Sequence, residues 1–118
     1  MMSALFVEYP RWTTCKKASK FLKENNVEFD DRHIVENNPT KEELLYWMEI
    51  SGLETKKFFN TSGALYKEMN LKDRVKDMSR EEAAELLASN GMLVKRPILV
   101  KDGKVIVGFK EDSYKEIL

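Results

Sequence analysis

Apolar positions along this chain change their spacing several times, and each change predicts a new element. Ala4 to Glu8 is a short apolar run, the pattern of a buried strand. After Tyr9-Pro10-Arg11-Trp12, the residues Ala18, Phe21 and Leu22 recur at helical spacing. Thr13 or Thr14 is placed to cap that helix, and Asn25-Asn26 to close it. Val27 to Val35 reads as a second strand, with Asp30-Asp31 interrupting its alternation. Thr40 and Glu43 then have the spacing of a capping box, in which each side chain satisfies a backbone donor of the other. Leu44, Leu45, Trp47 and Met48 supply the apolar stripe of this helix, and Gly52 is placed to end it. Residues 56–70 read as a short helical turn, a polar loop at Asn60 to Gly63 and a further helix. Ser79 and Glu82 repeat the capping box, followed by Ala84, Leu86, Leu87 and a stop at Asn90-Gly91. The last third returns to strands: "RPILV" and "KVIVGF" flank Asp102-Gly103, a strong two-residue hairpin signal. The final "KEDSYKEIL" predicts a closing helix.

The order is therefore β-α-β, several helices, then β-β-α. This predicts an α/β protein with a thioredoxin-like (glutaredoxin-like) fold and a helical insertion over residues 37–90. A chain of 118 residues reads as a single domain, 1–118, long enough to bury a core without staples. Hydrophobic residues make up 42% and charged residues 34%, which fits a soluble globule and not a disordered chain. No apolar run approaches the roughly 20 residues needed to cross a bilayer, and "MMSALFVEYP" lacks the basic and long apolar regions of a signal peptide. No membrane association is expected.

Composition also narrows the chemistry. One cysteine permits no internal disulfide, which fits a reducing cytoplasm, and with one histidine beside it no metal site is expected. Lysine plus arginine balances aspartate plus glutamate at 20 each, so direct nucleic-acid binding, which needs a basic surface, is not expected.

Cys15 admits two readings. It follows a strand-to-helix turn, where backbone N–H groups and the helix dipole favour negative charge, and Arg11, Lys16 and Lys17 are local cations. That placement predicts a lowered thiol pKa and a nucleophilic thiolate. Cys15 also shares the helical face of Ala18 and Leu22, where a lone cysteine is a small buried hydrophobe. Near the other end of the chain, Pro97 belongs at the start of a strand, and Arg96 beside it is a candidate anion or thiolate partner, or else an ordinary exposed arginine. His33 reads as a surface or strand residue. The Asn60 to Gly63 loop is either an anion cradle or simply a turn rich in turn-forming residues.

The segments "YPRWTTCKKA", "NNPTKEEL", "FFNTSGALYKE", "LLASNGMLVKRPILV" and "VGFKED" together resemble the arsenate reductase (ArsC) family, including its Spx/MgsR branch of redox regulators. The resemblance spans nearly the whole chain and implies the thioredoxin-like fold read above, with the proline before the third strand in cis. In many relatives the first segment carries two cysteines separated by two residues. The first is the family nucleophile, and the second belongs to members with a two-cysteine switch. On this chain those positions are Trp12 and Cys15, so the resemblance implies that the nucleophile is replaced and the resolving thiol kept. It implies Cys15 and Arg96 as catalytic residues, with Trp12, Thr13, Thr14 and Pro97 as binding residues. Where classical members place further arginines around the oxyanion, this chain offers Asn60, Thr61, Ser62 and Lys110. The function implied is an arsenate-reductase-like thiol oxidoreductase with no tightly bound cofactor, taking electrons from glutathione or glutaredoxin. The alternatives are a regulator of the Spx type that binds RNA polymerase, and a family member that keeps the fold without activity.

Overall fold

The computed structural model describes residues 4–118. The elements run β1 (Ala4–Glu8), α1 (Thr13–Glu24), β2 (Phe29–His33), α2 (Lys41–Ser51), α3 (Ala64–Glu68), α4 (Leu71–Arg74), α5 (Arg80–Ser89), β3 (Ile98–Lys101), β4 (Lys104–Val107) and α6 (Glu111–Lys115), with short 3-10 turns at Thr55–Phe58, Val75–Asp77 and Gly91–Leu93. This is the expected α/β order. The chain groups into two compact units: residues 4–33 with Arg96–Leu118, and Ile34–Lys95.

The first unit is a four-stranded mixed sheet in the order β2-β1-β3-β4. β1 runs parallel to β2 and antiparallel to β3, and β3 is antiparallel to β4. Alternation along β1 turns Ala4 and Phe6 to one face. There they pack with Ala18 and Leu22 of α1, Leu99 of β3 and Tyr114 of α6. The Phe6 and Phe29 rings meet edge to face at 5.3 Å, and Phe109 and Tyr114 at 4.8 Å, geometries that suit the ring quadrupole. Asp102 (φ 50°) and Gly103 (φ 76°) both adopt the left-handed region between β3 and β4, as a tight turn matched to strand twist requires.

Two expectations change here. The second strand is shorter than Val27–Val35: Ile34 and Val35 leave it for a turn. β2 lies at the sheet edge, so its polar Asp30 and Asp31 face solvent, and periodicity alone misjudged its length. Neither Thr13 nor Thr14 caps α1 either. The N-cap is Trp12, with no side-chain cap bond, and Thr13 is already the first helical residue. Asn25-Asn26 does close the helix, with Asn26 at φ 57°.

The second unit, described by itself, contains α2 packed against α5. Both capping boxes form: the Thr40 amide donates to Glu43 Oε1 at 2.9 Å and the Glu43 amide to Thr40 Oγ1 at 3.1 Å, and Ser79 and Glu82 repeat the arrangement at 3.2 and 3.1 Å. Gly91 sits so close to the Ile34 carbonyl oxygen that a Cβ would collide with it. The amides of Asn60 and Lys95 donate to the carbonyls of Leu93 and Phe58, each at 2.8 Å, tying the Asn60 loop to the segment that leads into Arg96.

Candidate functional site

β1 delivers the chain to the site at Glu8, and a turn closed by the Trp12 amide donating to the Tyr9 carbonyl at 2.9 Å starts α1. β3 enters from the opposite direction. The pair Val7↔Ile98 ends the antiparallel ladder, as it must, because Pro97 has no N–H to donate. Continuing that register places Arg96 across from Tyr9. The Arg96-Pro97 bond is cis, and both residues are buried.

Arg96 is only 3% exposed. Its guanidinium carbon lies 5.3 Å from the centroid of the Tyr9 ring and 4.8 Å from that of the Trp12 ring, within cation–π range of both. Burial lowers the Arg96 pKa, while Cys15 and Tyr9 act to raise it. Trp12 remains 37% exposed. Its indole therefore touches a buried cation on one side and solvent on another. Of the two readings of Arg96, the exposed arginine is excluded.

Cys15 is the third residue of α1 and is fully buried. The helix start predicts a lowered thiol pKa; the structure gives the reverse. Burial pushes Cys15 up to about 11, reinforced by Glu8 and Asp31 and opposed by a hydrogen bond with the Tyr9 backbone and by the Arg96 charge. Desolvation outweighs the Arg96 charge and the backbone hydrogen bond, so the resting thiol is protonated at neutral pH. Thr13 is exposed, Thr14 is half-buried and Pro97 is buried.

The structure brings Trp12, Cys15, Arg96 and Pro97 into one unit, and it adds residues that sequence reasoning passed over. Glu8 is a carboxyl only 4% exposed. Burial first, then a side-chain hydrogen bond with Asp31 and the Asp31 charge, push it up to about 8, against Lys23. Tyr114 is also raised, by burial and then by Cys15 and Glu8. The alternation Ala4-Phe6-Glu8 was the available signal, since it sets Glu8 on the apolar face of β1 under α1. His33 is a half-buried strand residue whose ring meets Tyr9 edge to face at 5.7 Å. Lys110 is an exposed residue just before α6. The Asn60 loop is part of the second unit, where Ser62 donates to Asn60 Oδ1 at 3.3 Å. Among the described residues no His, Cys, Asp or Glu cluster could hold a metal ion, and no helix is long and apolar enough to cross a membrane.

Comparison with known proteins shows which chains this one is similar to. YusI, an uncharacterised protein of Bacillus subtilis, is 53% identical over 98% of each chain. The regulatory protein MgsR of the same organism is 34% identical over 88% of this chain and 81% of its own. The crystal structure of an ArsC family related protein from Bacteroides fragilis superposes with a TM-score of 0.95 at 50% identity, covering 99% of this chain and 98% of the other. Residues 8–117 match the family model of the ArsC family. That span takes in the strand end, the helix start and the arginine–proline step on which the site is built, and the chain belongs to the ArsC family.

Proposed function

We propose that this protein is a thiol-redox member of the ArsC family that works through the single sulfur of Cys15. Cys15 exchanges with small-molecule or protein disulfides of the glutathione and glutaredoxin class. The observation that supports this reading most is the company the sulfur keeps. A structural cysteine needs only apolar neighbours, yet Cys15 interacts electrostatically with buried Arg96 and buried Glu8. Perturbed ionisable groups gathered around a nucleophile are a mark of functional sites. In this reading Arg96 stabilises the thiolate as it forms, and Trp12, at the position of the family nucleophile, replaces covalent attack on arsenate with a cover over Arg96. Thr13, Thr14 and Pro97 line the approach. Classical arsenate reduction is not part of the proposal.

The test is incubation of the reduced protein with glutathione disulfide, followed by intact mass measurement. One glutathionyl adduct on the native protein, absent in Cys15→Ser, is the expected result. An unmodified native chain whose unfolded form is modified readily would overturn the reading.

A second reading is favoured by one observation, the partly exposed Trp12 indole stacked on Arg96. Aromatic residues of this kind anchor protein interfaces, and MgsR is a regulatory protein. In that case the protein contacts RNA polymerase as a regulator. Retention of purified polymerase by the wild type and its loss in Trp12→Ala would support it. Equal retention by both would remove Trp12 as the anchor.

A further inference from the structure

The two edges of the sheet are finished differently. The order β2-β1-β3-β4 leaves β2 and β4 outermost. β2 reads Phe29-Asp30-Asp31-Arg32-His33, and charges along an edge discourage the addition of a further strand. β4 reads Lys104-Val105-Ile106-Val107, a β-branched run with no proline and a single charge at its start. Its hydrogen-bonding direction follows from the register. The Gly108 amide donates to the Pro97 carbonyl at 2.8 Å, and in an antiparallel ladder bonded pairs alternate with unbonded ones. Leu99↔Ile106 and Lys101↔Lys104 are therefore the bonded pairs, while Val100↔Val105 and Ile98↔Val107 are not. The amide and carbonyl groups of Val105 and Val107 thus point away from β3, and among the described residues no other strand pairs with β4.

We propose that β4 is a self-association edge, pairing antiparallel with β4 of a second copy about a twofold axis at Ile106. Val105 then faces Val107 of the second copy as a bonded pair, the reverse pair forms by symmetry, and Ile106 faces Ile106. That register uses the outward groups of both valines. It also joins the apolar rows of the two sheets, because Leu5, Val100 and Val105 lie in one cross-strand row and Val7, Ile98 and Val107 in the next. β-Branched cross-strand pairs of this kind stabilise antiparallel ladders. The inference goes beyond thiol exchange and holds whether or not Cys15 is reactive.

Charge selects a second copy over an unrelated strand. In this register Lys104 falls opposite Gly108 of the second copy, so the two Lys104 side chains lie at opposite ends of the contact and do not repel. Lys104 shares the face of Ile106, which packs against the cluster containing Tyr114 of α6. The chain after Gly108 leads into α6, whose first turn carries Glu111 and Asp112, both exposed. Each hairpin end therefore brings exposed Lys104 toward the acidic first turn of α6 in the other copy. An isologous contact of this kind closes at two copies, and the outer edges of the joined sheet are then both the charged β2. Because β4 is only 4 residues long, the contact lies at the small end of specific interfaces, and the dimer is expected to form from roughly 0.1 mM upward.

The experiment is sedimentation equilibrium of the full chain in low-salt buffer from about 10 µM to about 1 mM, with amide hydrogen exchange followed at both ends of that range. A monomer–dimer equilibrium is expected. The Val105 and Val107 amides should exchange more slowly at the higher concentration, while the Ile106 amide, already bonded to Leu99, changes less. Lys104→Glu, at an exposed position, is expected to weaken the dimer roughly tenfold, and adding Glu111→Lys to that variant to restore most of the loss. A chain that stays monomeric throughout would overturn the proposal and leave the edge to an extended segment of another protein. A dimer whose Val105 and Val107 amides ignore concentration, assembly beyond two copies, or a dimer that Lys104→Glu leaves equally tight would each overturn it as well.

Discussion

The Arg96 guanidinium carbon lies 4.8 Å from the centroid of the Trp12 ring, and this contact links the start of α1 to the cis arginine–proline step before β3. An indole at the N-cap position makes no side-chain cap bond, so its contribution to the helix start is packing and cation–π attraction. Replacement of Trp12 by alanine exposes a cation otherwise 97% shielded and is expected to cost about 1–2 kcal/mol, the size of a partly desolvated cation–π contact. Urea unfolding of the two proteins measures it; an unchanged midpoint would mean that the contact contributes nothing to folding.

Trp12→Cys asks a different question. The substitution places two thiols three residues apart in the first turn of α1, the spacing of the two-cysteine switch in the family that the chain resembles. With glutathione disulfide as oxidant, the variant is expected to close an intramolecular disulfide while the oxidant is reduced to two thiols. Thiol titration before and after oxidation reads it: two free thiols fall to none. Retention of a glutathionyl adduct on Cys15 instead would show that the helix start no longer supports the switch.

Arg96 is among the charges acting on Cys15, and it lowers a thiol pKa that burial has raised to about 11. Arg96→Met keeps much of the side chain's bulk and removes the charge. The Cys15 pKa should rise further, and native alkylation at pH 9 should slow severalfold. Arg96→Lys keeps the charge but loses the planar contact with Tyr9 and Trp12, so it should preserve more of the alkylation rate than of the stability. Equal losses of rate in both variants would contradict an electrostatic role.

Much of the fold was legible because it rests on local chemistry. The Thr40–Glu43 and Ser79–Glu82 boxes, the Asp102-Gly103 turn and the Asn25-Asn26 stop each involve residues within one turn of one another, and each formed where the pattern placed it. What was not legible depends on partners distant in sequence. The end of β2 at His33 is decided by its pairing with β1, and the α4 helix at Leu71–Arg74 carries too few residues for periodicity to register. At the site, the position of Cys15 was readable, but its ionisation was not. The pKa depends on a burial completed by distant segments and on Glu8, Asp31 and Arg96, which come together only when β1, β2 and the entry to β3 assemble. Glu8 drew no comment of its own as the last residue of the Ala4 to Glu8 run, and its alternation with Ala4 and Phe6 was the hint that it points inward.

Gly91 tests a purely steric requirement. Its φ needs no special freedom, but any Cβ would collide with the Ile34 carbonyl oxygen, a backbone atom that cannot swing aside like a side chain. Gly91→Ala is therefore expected to destabilise the protein by roughly 2–4 kcal/mol, in the range of strain and overpacking effects. Thermal unfolding checks it, and a loss smaller than about 0.5 kcal/mol, the scale of an ordinary surface substitution, would mean that the backbone of 34–38 relaxes freely.

Stability should also depend on pH in a way set by Glu8. Its carboxyl moves from an ordinary 4.5 to about 8 on folding, so the folded chain holds this proton more tightly than the unfolded one. The stability contributed is complete below about 4.5 and is lost progressively as pH rises through 8. Cys15 behaves in the same direction at higher pH, its contribution complete below 9 and lost as pH rises through about 11. Unfolding free energy measured in urea should therefore fall between pH 5 and pH 8.5, by on the order of a few kcal/mol for the carboxyl alone. Glu8→Gln cannot ionise, so its curve should be flatter over that window and cross above the wild type at the alkaline end. A wild-type stability that rises steadily from pH 5 to pH 8.5, with the same slope in the variant, would show that Glu8 is ionised in the folded protein.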